Sequence, residues 1–170
     1  PGAGNLQILE QVLNQINSPG IFVVNWSWID RFDFYNPDYQ GHIWTDWFTI
    51  RPTDETRLAK TYYKELNSEY ADKLSSLGYI KLAIDTLNQK RIPFVMTYID
   101  ELLFDQRWHT SPAVLALQEF VCPYMTKFEG QTFLDWSKHN NYPISNGLHP
   151  LEEAHRSASD YILNHCKGTL

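Results

Sequence analysis

Leu6-Gln-Ile-Leu-Glu-Gln-Val-Leu-Asn-Gln-Ile16, then Asn17-Ser-Pro-Gly20, then Ile21-Phe-Val-Val24, is the stretch that sets the fold class. Leu6, Leu9, Val12, Leu13 and Ile16 recur at helical spacing and predict an amphipathic helix. Ser18-Pro-Gly20 stops it, because proline and glycine break local structure most strongly. Ile21–Val24 is a short apolar run bounded by turn residues, which predicts a buried parallel strand continuing toward Trp28. Helix, turn and strand in that order make a piece of an α/β unit. Before it, Pro1-Gly-Ala-Gly-Asn5 reads as a turn ending in a helix-capping Asn5.

A second strand is expected in Arg91-Ile-Pro-Phe-Val-Met-Thr-Tyr-Ile99. Between the two strands, Phe32–Pro52 reads as irregular and aromatic-rich, a lid or rim, since loops this long are uncommon unless functional. Thr53-Asp-Glu55 is expected to cap a helix carrying Leu58, Tyr62 and Leu66 on one face. Tyr70, Leu74, Leu77, Ile84 and Leu87 continue a helical pattern that Gly78 is expected to break or kink. Asp100, Glu101 and Asp105 follow the second strand near the expected site edge and read as loop solvation, with a ligand-facing role as the other reading. Ser111-Pro112 opens another helix and Pro123 closes it; Thr132–Trp136 reads as a short helix and Tyr142–Ile144 as a short last strand.

With 170 residues, the chain is long enough for one domain with a sizeable core, so 1–170 is read as a single domain. Its formal net charge of −6 argues against nucleic-acid backbones and anionic membranes as partners. No apolar run is long enough to span a bilayer, and no charged-then-apolar leader is visible. Two cysteines, Cys122 and Cys166, do not make a disulfide framework. A reducing, cytoplasmic compartment is the default expectation, with a single bridge as the alternative. Aromatic residues make up 15% of the chain and crowd into Asn25–Phe48, so this segment is either a core cluster or a stacking surface for sugars or acyl groups.

Tyr142-Pro-Ile-Ser-Asn-Gly-Leu-His-Pro150 places His149 on a turn running into a helix. Asn146-Gly147 is a turn signal, Pro150 suits a first helical position, and Glu152 and Glu153 complement the positive helix end. Leu151, Ala154, Ala158, Tyr161, Ile162 and His165 predict a buried face, and Lys167-Gly168 the helix end. A histidine on a loop tip braced by a packed helix suits a catalytic base. A capping or surface histidine is the other reading of the same spacing. A metal site from His149, Glu153 and His155 is disfavoured, because these positions lack the i, i+4 geometry of a zinc helix. Neither metal nor cofactor is expected.

Asn146-Gly-Leu-His149-Pro150, followed by Glu-Glu-Ala-His155, resembles the C-terminal block of the SGNH (GDSL-type) hydrolases, Asp-x-x-His-Pro before a helix. Asn146 stands where that family usually has Asp. Asn25-Trp-Ser-Trp-Ile-Asp-Arg31 is similar to a second block, Gly-x-Asn-Asp at a strand end, or Gly-Trp-Thr/Ser followed by Arg in some relatives. Asn25, Ser27 and Arg31 fit a plain polar strand exit equally well. Pro1-Gly-Ala-Gly4 stands at the place of the block that holds an oxyanion-hole glycine; a flexible chain end is its other reading.

The resemblance implies a flavodoxin-like three-layer α/β/α fold with a parallel sheet. It implies serine-ester hydrolysis, with His149 as proton carrier and Asn146 beside it. Gly2 N–H and Ser27 would hold the oxyanion, with Asn25, Trp26 and Arg31 near the substrate. That substrate would be a small-molecule or acylated-carbohydrate ester. No Gly-Asp-Ser block occurs here, so the chain is similar to the C-terminal portion of a longer protein, incomplete at the N-terminus. Alone it is expected to hydrolyse esters weakly or not at all. An open sheet edge is then expected, covered by a second copy in a homo-oligomer. The alternative is a non-catalytic carbohydrate-binding or interaction module using Trp26, Trp28, Trp44 and Trp47, which needs exposed, coplanar rings.

Overall fold

The structure is a computed structural model that describes residues 2–36 and 46–165. Trp44, Cys166, Lys167, Gly168 and the middle of the expected lid lie outside the described residues. Along the chain run α1 (Asn5–Asn14), β1 (Phe22–Trp26), β2 (Phe32–Tyr35), β3 (Trp47–Ile50), α2 (Arg57–Glu65), α3 (Glu69–Lys90), β4 (Phe94–Tyr98), α4 (Pro112–Val121), α5 (Phe133–His139) and α6 (Glu152–His165). The architecture is mixed α/β, with β1 and β4 a parallel pair and β2 and β3 an antiparallel pair. Each pair has two strands among the described residues, fewer than the sheet the resemblance implies.

Alternation along the parallel pair divides its residues between two faces. Val24 lies opposite Met96 and Trp26 opposite Tyr98, and all four are buried in the main core with Leu9 and Val12 of α1 and Leu77, Ile80 and Ile84 of α3. Burying such side chains contributes about 1.5–3 kcal/mol each. Val23 and Asn25 point to the opposite face, where both are exposed. A second cluster joins Phe128, Phe133 and Trp136 to Ala154 and Ala158 of α6.

Several local expectations are corrected. β1 ends at Trp26 rather than running to Trp28. Part of the stretch expected to be irregular is the β2–β3 pair, with Phe34 opposite Phe48 and Phe32 stacked on Tyr62 of α2. Thr56, not Thr53, caps α2 by accepting from Ala59 N–H at 3.2 Å. α3 passes through Gly78 unbroken. A helical glycine costs about 1 kcal/mol, and the burial of Leu77 and Ile80 outweighs it. Tyr142–Ile144 contributes a single bridge, Ile144 to Pro150, instead of a strand. α6 begins at Glu152, and Leu151 is exposed rather than on the buried face.

Asp100 is no solvating loop residue. It is buried after β4, where its carboxylate accepts from Ile29 N–H and Leu102 N–H, each at 3.0 Å. Burial raises its pKa above the usual carboxylate range, and the two N–H donors act against that rise. The bond to Ile29 ties the exit of β1 to the exit of β4. No described helix is long and apolar enough to cross a membrane.

Candidate functional site

Both parallel strands end at the same side of the molecule, and ligands bind beyond such carboxyl ends. Asn25 is the next-to-last residue of β1, and Ser27, Trp28 and Arg31 lie beyond the strand end. The start of the chain reaches the same place because Asp33 of β2 anchors it. Asp33 Oδ1 accepts from Gly4 N–H at 2.8 Å and Oδ2 accepts from Gln7 N–H at 2.9 Å. Asp33 therefore caps α1 from another element, and Asn5, the expected cap, has a different task. The Asn5 carboxamide accepts from Ser27 N–H at 2.8 Å and donates to Ser27 O at 3.3 Å and Ser76 Oγ at 3.0 Å. One side chain thus ties α1, the end of β1 and α3 together.

His149 arrives from the far end of the chain. Its turn is closed by Ser145 N–H donating to His149 O at 2.9 Å and by His149 N–H donating to Ser145 Oγ at 3.1 Å. Leu148 adopts a left-handed φ of 60° to make that turn. The imidazole lies over Gly147, where an added Cβ would meet His149 Cδ2 at 3.3 Å.

These pieces line one cavity of about 260 Å³, formed by Gly2, Asn25, Ser27, Arg31, His149 and His155 with Trp28 and apolar neighbours. The cavity brings together five of the seven residues singled out from the sequence. The two others stand apart. Trp26 is fully buried in the core, where its indole N–H donates to Met96 Sδ at 3.4 Å, so it offers no face to a ligand. This corrects its assignment as a substrate contact and takes one ring from the expected sugar platform. Asn146 is exposed and makes no hydrogen bond to the His149 ring, so it does not orient the imidazole.

Ser27 is nearly buried, and its backbone is held by Asn5. Its hydroxyl has no partner among the described residues and borders the cavity. Asn25 is exposed, and its Oδ1 accepts from Thr97 Oγ1 at 2.7 Å. That bond commits the carboxamide oxygen and leaves the NH₂ group as the free end. Arg31 is half-buried and donates from Nη1 to Ala3 O at 3.3 Å. Burial first, and Arg51 second, lower its pKa from the ordinary value.

Asn5 and Thr97 were not singled out as site residues by the sequence. Asn5 looked like a cap, and its spacing carries no sign of Ser27. Thr97 was the more legible, since it is the polar member of a strand otherwise made of apolar and aromatic residues. No cluster of three or more His, Cys, Asp or Glu residues suited to a metal occurs among the described residues.

Beside this cavity lies an apolar one of about 350 Å³ between the exposed face of β1 and α6, lined by Val23, Thr97, Ala158 and Ile162; Asn25 and His155 border both. The outer edge of β1 has no strand partner among the described residues, and Val23 there is 57% exposed. Comparisons with protein-family models, curated proteins and solved structures find no match to this chain.

Proposed function

We propose that the chain supplies the proton-transfer and oxyanion side of an ester-hydrolysing site, within a three-layer α/β/α fold of the SGNH type. One observation carries the reading: Gly2, Ser27 and His149, from opposite ends of the chain, border one cavity at the carboxyl end of a parallel pair. The reading needs a nucleophile that the cavity lacks, because Ser27 is nearly buried and is used better as a donor. In this proposal a serine enters on an upstream strand that pairs with the free edge of β1 and covers Val23.

The chemistry then runs in two halves. The serine Oγ bonds to the acyl carbon while its proton passes to the His149 ring, and the carbonyl oxygen becomes an oxyanion. Gly2 N–H and the Ser27 hydroxyl donate to that oxyanion. His149 returns the proton to the alcohol oxygen as the ester C–O bond breaks. Water repeats the sequence, releasing the acid and restoring the serine.

The test is a protein extended upstream of Pro1 along its own reading frame, assayed with p-nitrophenyl acetate. It is expected to release p-nitrophenol, and His149→Ala to lower kcat by about 10²–10⁴. The 170 residues alone are expected to give the background rate. An upstream frame without a serine at a strand end, or an unchanged rate in His149→Ala, overturns the proposal.

A further inference from the structure

The cavity beside His149 is bordered by a cation, Arg31, that makes no salt bridge among the described residues. Arg31 is half-buried, and its bond to Ala3 O is the one side-chain hydrogen bond it makes among the described residues. The carboxylates nearest in the field are already engaged. Asp33 accepts from Gly4 N–H, Gln7 N–H and the Thr49 hydroxyl. Asp54 is paired with Arg51, Nε to Oδ1 at 3.2 Å, and also accepts from Arg51 N–H at 2.9 Å. Asp30 is exposed and attracts Arg31 through its field, without a salt bridge to it among the described residues. Among the described residues no Asp or Glu lines the cavity, and its other titratable neighbours are His149 and His155.

Taking a guanidinium out of water without an anion to meet it is costly. The rest of the Arg31 fork is unspent, and that planar set of donors matches a carboxylate or a phosphate. A cationic pocket in a chain of net charge −6 also concentrates anions locally against the overall field. At about 260 Å³ the cavity lies under the usual ligand-site range of roughly 300–1,000 Å³, so the group it takes is small.

We propose that Arg31 is an oxyanion-recognition residue, and that the site takes small esters bearing a carboxylate or phosphate group, with Trp28 and Ile8 against the apolar remainder. The proposal rests on the hydrolase reading for the word ester, but anion recognition by Arg31 is measurable without turnover.

The experiment follows the His149 and His155 ring signals by NMR in the full chain during titration with benzoate, phenyl phosphate and neutral benzamide. At least one anion is expected to give a saturable shift, and benzamide to bind at least about tenfold more weakly, a difference of about 1.4 kcal/mol. Arg31→Gln is expected to weaken the anion by about tenfold or more, and Arg31→Lys, which keeps the charge but not the fork, to fall between. Backbone amide spectra identify any variant that fails to fold, in which case the charge-keeping variant and the neutral probe still decide. Failure of both anions to saturate, benzamide binding equally well, or wild-type affinity in a folded Arg31→Gln overturns the proposal. His149-dependent hydrolysis of p-nitrophenyl acetate without anion binding would keep the hydrolase reading and remove this one. Arg31-dependent anion binding with no hydrolysis by the upstream-extended protein would do the reverse.

Discussion

Gly4 lies so close beneath Asp33 that a Cβ at residue 4 would sit 2.5 Å from Asp33 Oδ2. The contact is a consequence of the cap, because Gly4 N–H must approach the carboxylate to 2.8 Å. Gly4→Ala is expected to destabilise the protein by about 1–3 kcal/mol by forcing the capping carboxylate away. Asp33→Ala, which removes the cap but leaves the glycine, is expected to cost about 1–2 kcal/mol. Urea unfolding of both variants checks the order; a neutral Gly4→Ala would mean that the approach is not tight.

Asn5 stands in for a neighbouring strand at Ser27, meeting both its N–H and its C=O. Asn5→Ala is expected to cost about 1–3 kcal/mol, since it leaves a buried N–H unpaired. Hydrogen exchange at the Ser27 amide is expected to accelerate more than exchange in α3. Equal acceleration throughout would show a global effect rather than a local one.

Thr97 orients Asn25 through a 2.7 Å hydrogen bond. Thr97→Val keeps the shape and removes the hydroxyl, at an expected cost of about 1 kcal/mol. The Asn25 side-chain NH₂ signals are expected to shift while the backbone spectrum is kept. In an extended, active protein kcat is expected to fall with KM little changed, as for a group that matters in the transition state. A change confined to KM would place Asn25 in ground-state binding.

Asp105 is held down to about 2, first by the Arg107 side chain and then by the Arg107 N–H. Its folded pKa is below its ordinary value of 3.8, so its contribution to stability is present above that value and is lost as the pH falls toward 2. ¹³C detection of the carboxyl is expected to give a midpoint near 2, and Arg107→Ala to move it up. Asp105→Asn is expected to flatten that part of the acid limb. An Asp105 midpoint at the ordinary value would contradict the arrangement.

Much of the framework was legible because short-range periodicity depends on neighbours a few residues away. The apolar spacing in Leu6–Ile16 marks α1, the run from Ile21 to Val24 marks β1, and Ser111-Pro112 marks the start of α4. The β2–β3 pair is hidden in the sequence although Phe32-Asp-Phe-Tyr35 alternates, because aromatic density obscures a period of two. Gly78 does not break α3, since local propensity is overridden when neighbours such as Leu77 and Ile80 are fully buried.

By itself, the sequence determined the α/β class, the succession of α1 and β1, and the turn that carries His149 into α6. These follow from backbone preferences and apolar spacing, which act within a few residues. The tertiary structure alone decided that Asp33 rather than Asn5 caps α1, that Asn5 braces Ser27, that Trp26 is core, and that Arg31 borders the His149 cavity without a salt bridge among the described residues. Each of these depends on which distant segments meet and on which hydrogen-bonding groups are left over when they do, and no local pattern records that.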